Sequence, residues 1–271
     1  MLHKKRPPRV LTIAGSDSGG GAGIQTDLKT FQALRCHGMS AVSVLTAQNT
    51  REVRSVFPVS PGFLRDQIDA VVDDIGVDSV KMGMLFSAPL IQAVARAVSQ
   101  KKLPNVVVDP VMVAKGGSRL LQEDAIAALK EELLPLADLV TPNLPEASVL
   151  VGFEVANVSQ MERAAEALLA LCPRVVLKGG HLENTDLMRD LYVDRNGAKR
   201  WLEFPRIDGK NKHGTGCTFS AAIAAFVARA EAWVSAVQNA REFLQKTMVL
   251  SQSVEIGTGW GPLHPGWTLE K

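Results

Sequence analysis

Hydrophobic and polar positions divide this chain into alternating short and long segments. Short runs rich in apolar and β-branched residues recur as RVLTIAG, SAVSVLTA, VDSVKMG, NVVVDPVM, ADLVTP and RVVLKGG. Several are apolar at nearly every position, the signature of strands covered on both faces. Between them, apolar residues return every three or four positions over residues 24–34, 63–72, 90–99 and 124–133, which predicts helices. The order predicts βαβ units and a mainly parallel central sheet with helices on both faces. DLYVDRNGAKRWLEFPR breaks the rhythm: two strand-like runs flank Asn196-Gly197, so an antiparallel hairpin is expected at one sheet edge. Helices over residues 215–230 and 233–254 close the chain. With no internal repeat or linker, residues 1–271 read as one domain, with residues 1–8 as a flexible basic tail.

Composition narrows the function classes. Of 271 residues, 46% are hydrophobic and 21% charged, ordinary for a globular α/β protein. Net charge is only +2, which gives no case for nucleic acid. No apolar run reaches the roughly 18 residues of a membrane span, and MLHKKRPPR lacks the apolar stretch of a secretory signal. Cys36, Cys172 and Cys217 form neither a zinc pattern nor a disulfide framework, so a reducing cytoplasm is expected. His3, His37, His181, His213 and His264 lack metal-ligand spacing and read as structural or surface residues, with His213 standing beside Gly214 to Gly216.

AGSDSGGGAGIQTD follows the first strand and carries five glycines. It is not a Walker loop, because no Lys-Ser/Thr pair follows, nor a dinucleotide fingerprint, because the third glycine is absent. It nonetheless sits at the carboxyl end of a strand, where open α/β sheets bind ligands. Its glycines permit close backbone approach, which suits a small molecule rather than phosphate.

Phosphate chemistry is expected in KHGTGCTFSAAIAAF. Gly214, Thr215 and Gly216 lead into an Ala-rich helix whose N-terminus offers free amides and partial positive charge. Cys217 stands in its first turn, where the helix field favours a thiolate, although a small cysteine there also suits packing. Lys178, at the end of RVVLKGG, suits a phosphate contact. Asp109, in VVVDPVM, and Asn143 and Glu146, in TPNLPEA, stand at other strand ends. Asp109 and Glu146 are candidates for Mg²⁺, which takes one or two carboxylates and keeps waters. Each also has a structural reading, as a helix cap or a first-turn charge.

Together TIAGSDSGGGAGIQTDLKTF, TAQNT, KMGML, VVVDPVM, TPNLPEA, LKGGH and HGTGCT resemble the ribokinase-like superfamily of three-layer sandwiches. Within it the chain resembles the bacterial hydroxymethylpyrimidine/phosphomethylpyrimidine kinases of thiamine biosynthesis. The resemblance implies ATP-dependent phosphorylation of 4-amino-5-hydroxymethyl-2-methylpyrimidine and then of its monophosphate. It places Gly15, Asp27, Gln48, Met84 and Val111 at the pyrimidine and Gly214 to Cys217 at an anion hole. Lys178 and Asn143 then contact nucleotide phosphates, and Asp109 and Glu146 organise Mg²⁺. Cys217 takes the place where most of the wider superfamily carries an Asp base. This is similar to the pyrimidine kinases and to a Cys-bearing group of pyridoxal kinases, the first alternative. The second alternative is a non-catalytic ligand-binding protein on the same scaffold. A family-like homodimer is also expected.

Overall fold

A computed structural model describes residues 6–112, 123–182 and 186–269. Residues 1–5 of the expected tail lie outside them; Arg6 pairs with Asp78 at 3.0 Å. Among the described residues, β1 (Arg9–Asp17), β2 (His37–Gln48), β3 (Val53–Pro58), β4 (Ser79–Met82), β5 (Val106–Val108), β6 (Leu139–Val140), β7 (Arg174–Leu177), β8 (Leu187–Asp194) and β9 (Lys199–Pro205) form one sheet. The strand order is β3-β2-β1-β4-β5-β6-β7-β8-β9. β2, β1, β4, β5, β6 and β7 run parallel, while β3, β8 and β9 each pair antiparallel with the strand preceding them in the chain. The helices are α1 (Gly23–Ala33), α2 (Pro61–Asp74), α3 (Ala88–Lys101), α4 (Glu123–Ala128), α5 (Leu144–Val151), α6 (Val158–Leu168), α7 (Thr215–Ala228) and α8 (Trp233–Ser251).

The apolar runs become strands because both faces of the sheet are covered. Side chains alternate between faces along a strand. Leu11, Val106, Val108 and Val175 therefore pack with Leu64 of α2, Ile91 of α3 and Met161 of α6. Their neighbours Val10, Val107 and Val176 pack with Phe31 of α1, Phe219 of α7 and Leu244 of α8. This is the three-layer sandwich expected from the sequence.

The expected hairpin is present as β8–β9, with Gly197 at φ +87° in its turn. The opposite edge was not anticipated. β3 is exposed along most of its length, so no hydrophobic alternation marks it. α6 also escaped the reading, although its buried residues Met161, Ala164, Ala165 and Leu168 follow helical spacing. α8 ends at Ser251, short of the expected residue 254.

From β1 the chain steps to β2 on one side, and β4 lies on the other. Such a reversal opens a crevice at the carboxyl ends of the strands. Asp17, Gln48, Met84, Asp109, Asn143 and Lys178 all fall at or just beyond those ends.

One of the strand ends is held from beneath. Arg241 of α8 is fully buried, and its Nε donates to Asp190 Oδ2 at 2.9 Å. Asp190 Oδ1 accepts from the Gly179 amide at 2.9 Å, fixing the turn that follows Lys178. Removing one partner of a buried pair strands the other charge, at a cost of about 3–5 kcal/mol. Arg241→Leu should therefore lower the unfolding free energy by that amount in urea titrations. The double variant Arg241→Leu/Asp190→Leu should recover part of it. A loss below about 1 kcal/mol, the ordinary cost of a substitution, would contradict this role.

Candidate active site

The first glycine segment is organised by Asp17. Its Oδ1 accepts from the Gly19 amide at 2.8 Å, and its Oδ2 accepts from the amides of Gly21 and Ala22 at 3.1 and 2.9 Å. Oδ2 also faces His213 Nε2 at 2.9 Å. Burial alone would raise the Asp17 carboxyl, but His213 and the loop amides outweigh it and hold it below the usual carboxylate range. The second glycine segment closes against the first. Gly214, at φ +87°, caps α7, and a Cβ there would collide with the Gly21 carbonyl oxygen. Only glycine serves both demands.

Between the two segments lies a cavity of about 400 Å³. Gly15, Gln48, Met84 and Val111, expected at the pyrimidine, line it. A Cβ on Gly15 would lie 2.5 Å from Cε at the tip of the flexible Met84 side chain, which would have to shift to admit it. Asn143, Gly214, Thr215, Gly216, Cys217, Lys178, Asp109 and Glu146 line the same cavity. Asp27 does not. It is fully buried below the wall, where its Oδ2 accepts from Lys81 Nζ at 2.8 Å and from Thr12 Oγ1 at 2.6 Å. The expectation that Asp27 touches the ring is corrected on that ground: both bonds turn its carboxylate into the protein.

At the α7 end, Lys178 Nζ donates to Asp109 Oδ1 at 2.7 Å. Asp109 also accepts from Thr141 Oγ1 at 3.1 Å and Ser220 Oγ at 3.3 Å. A Cβ on Gly216 would stand 3.3 Å from Asp109 Oδ2 and 3.4 Å from Lys178 Nζ, so the glycine brings the helix start against this pair. Burial would raise the Asp109 carboxyl, but Lys178 and Lys81 hold it below its usual range. Burial likewise disfavours charge on Lys178, yet Asp109 and Glu146 keep it above its ordinary value. Asn143 and Glu146 form a capping box at α5: the Glu146 amide donates to Asn143 Oδ1 at 2.9 Å, and the Asn143 amide to Glu146 Oε2 at 2.8 Å. Burial raises the Glu146 carboxyl to about 7 despite the opposing charge of Lys178. Glu146 thus takes its structural reading, a charge in the first turn of α5, and lines the cavity as well.

Among the described residues no group of three His, Cys, Asp or Glu forms a metal cage. Asp109 and Glu146 on one wall fit a Mg²⁺ that draws its other ligands from phosphate and water.

Three of the cavity residues that sequence reasoning missed organise its charge and hydrogen bonding. Asp17 stood within the quoted loop, and its Asp-x-Gly spacing was the available signal. Lys81 lines the cavity from a fully buried strand, a place where a lysine needs a partner, here Asp27. His213, read as structural or surface, lines the cavity and faces both Asp17 and Gln48.

Cys217 departs from expectation electrostatically. Burial raises its thiol to about 11, against the lowering effect of Lys81. Asp27 and Asp109 nearby act in the same direction as burial, against a thiolate. Cys36 and Cys172 are buried, while Cys217 keeps partial exposure. Alkylation by iodoacetamide should therefore select Cys217, run slowly at pH 7 and accelerate steadily to pH 10. A titration midpoint below 8 would show that the helix N-terminus and Lys81 prevail over burial.

With this geometry in view, known proteins place the chain. A model of the family described as phosphomethylpyrimidine kinase matches residues 17–264. A hydroxymethylpyrimidine/phosphomethylpyrimidine kinase of Escherichia coli is 45% identical over 94% of this chain and 96% of its own length. A thiamine biosynthesis bifunctional protein of Geobacter sulfurreducens is 48% identical over 97% of this chain, which spans 54% of that longer protein. Among solved structures, Bacillus subtilis pyridoxal kinase in an ADP complex has a TM-score of 0.89 at 39% identity, covering 98% of this chain and 100% of that one. Phosphomethylpyrimidine kinase of Clostridium difficile has a TM-score of 0.78 at 38% identity, covering 88% and 98%. The fold is thus shared by kinases of both rings, and the family match, spanning both glycine segments, decides membership: the chain belongs to the phosphomethylpyrimidine kinase family.

Proposed function

We propose that the chain transfers the γ-phosphoryl group of ATP to the hydroxymethyl oxygen of 4-amino-5-hydroxymethyl-2-methylpyrimidine, and then phosphorylates the resulting monophosphate. One observation supports the reading: a single cavity is lined both by Gly15, Met84, Val111 and Gln48, expected at the ring, and by Gly214 to Cys217, expected at the phosphate. The names of the relatives above support the pyrimidine as substrate. The ring lies against the Gly15 backbone, and its amino group and adjacent ring nitrogen pair with the Gln48 amide. The free amides at the start of α7 hold the transferring phosphoryl group. Lys178 neutralises its charge, and Asn143 contacts the nucleotide phosphates. Phosphoryl transfer depends mainly on such positioning and neutralisation. Mg²⁺, when bound, neutralises the phosphate oxygens from the Asp109 and Glu146 side. The reading includes the cytoplasm as location and a homodimer as assembly. No helix among the described residues is long and apolar enough to cross a membrane.

Cys217 accepts the hydroxyl proton, and only its thiolate can do so. With the thiol near 11, the thiolate fraction grows with pH, so kcat/KM should rise through pH 7–10. Cys217→Asp should shift that rise to lower pH. Cys217→Ala should lower kcat by ~10² to 10⁴ with pyrimidine affinity largely kept, as for general-base removal. A Cys217→Ala enzyme with wild-type kcat would return the residue to packing.

Lys178→Ala should reduce kcat/KM for ATP by roughly 2.7–4 kcal/mol, the cost of losing one transition-state contact, while pyrimidine binding changes little. Relative kcat/KM on the pyrimidine alcohol and on pyridoxal tests the substrate. A preference for pyridoxal would make the chain a pyridoxal kinase, and no turnover of either would favour a ligand-binding role.

A further inference from the structure

The side-chain amide of Gln48 faces His213 and Thr46, and both are already committed. His213 Nε2 lies 2.9 Å from Asp17 Oδ2. Asp17 is held in its ionised form, and a carboxylate only accepts, so this nitrogen carries a proton. Thr46 has a single hydroxyl proton, which it donates to the Ser16 carbonyl at 2.8 Å. Gln48 presents one end of its amide to His213 Nε2 and the other to Thr46 Oγ1, each at 3.3 Å. An N–H aimed at His213 would meet a donor, and an oxygen aimed at Thr46 would meet a lone pair. A half-turn of the amide, which interchanges its O and N, resolves both conflicts. Oε1 then accepts from His213 Nε2–H, shared with Asp17, and an N–H donates to Thr46 Oγ1. One lone pair and one N–H remain for the cavity, and their left-right order is fixed.

We propose that His213 and Thr46, with Asp17 behind His213, are the positioning residues that lock the Gln48 amide and thereby select a 4-aminopyrimidine over its 4-oxo counterpart. The proposal rests on the pyrimidine reading above. A 4-amino ring edge presents an N–H donor beside a ring-nitrogen acceptor. The 4-oxo ring presents the reverse, a carbonyl acceptor beside a ring N–H. To pair with it, the amide must turn over and break both anchoring bonds, or the ring must turn over and carry its hydroxymethyl group away from Cys217.

The experiment compares kcat/KM for the 4-amino and 4-oxo hydroxymethyl alcohols in wild type, His213→Leu, His213→Gln and Thr46→Val. Calorimetric binding of both rings without ATP accompanies it. Wild type should favour the amino ring by roughly 5- to 150-fold, the discrimination of a two-point amide contact. His213→Leu and Thr46→Val should bring the ratio towards one, and in Thr46→Val, which leaves the Asp17–His213 contact intact, ATP KM should change little. His213→Gln, which keeps an N–H donor, should retain most of it. An unchanged ratio in both His213→Leu and Thr46→Val, or equal loss on both rings, overturns the proposal, as does a wild type indifferent to the two rings. Where a variant turns over too slowly, the calorimetric ratio decides. A wild type that phosphorylates neither ring overturns the functional reading itself, a different outcome from an active, selective wild type whose variants are equally selective.

Discussion

The Asp17–His213 pair is the contact on which the site depends. A buried carboxylate must be paired or surrounded by donors, and Asp17 gathers three loop amides together with an imidazole from the far end of the chain. Residue 17 ends the first strand, and residue 213 precedes α7. Their union holds the two glycine segments together along the cavity wall. It also explains glycines that neither loop explains alone. A Cβ on Gly21 would meet the His213 ring and Pro262, and one on Gly214 would meet the Gly21 carbonyl. The five-glycine loop is therefore shaped as much by its partner loop as by a ligand.

Around that union, charge is buried in pairs. Lys178–Asp109, Lys81–Asp27 and Arg241–Asp190 approach to 2.7, 2.8 and 2.9 Å. Each joins elements distant in sequence. The pairs differ in accessibility to a ligand: Lys178, Asp109 and Lys81 line the cavity, whereas Asp27, Asp190 and Arg241 do not. A charged ligand can thus exchange partners with Lys178 and Asp109 without opening the core. Burial in the same surroundings raises the Cys217 thiol to about 11, so on the proposed reading the base becomes available only as pH rises.

Much of the fold was legible in the sequence because strands covered on both faces announce themselves as unbroken apolar runs. VVV at residues 106–108 is the plainest case, its middle residue packing on one layer and its neighbours on the other. β3 was not legible, because an exposed edge strand carries no such pattern. Site residues at strand ends were legible for a related reason: Asp109 and Lys178 interrupt apolar runs with charge. Asp27 shows the limit. The resemblance placed it at the ring, whereas the structure pairs it with Lys81 of β4, a partner 54 positions away that no local pattern marks. His213 shows the converse: its role depends on a residue 196 positions away, which no local pattern reveals.

The central claim is that one cavity holds the pyrimidine's hydroxymethyl oxygen against the γ-phosphate of ATP. Phosphorus NMR of the reaction of ATP with the pyrimidine alcohol tests it most directly. The account predicts a monoester resonance coupled to the CH₂ protons, formed in step with ADP, and then the paired resonances of a diphosphate ester. ATP converted only to ADP and inorganic phosphate, or a phosphoryl group attached elsewhere on the ring, would contradict it.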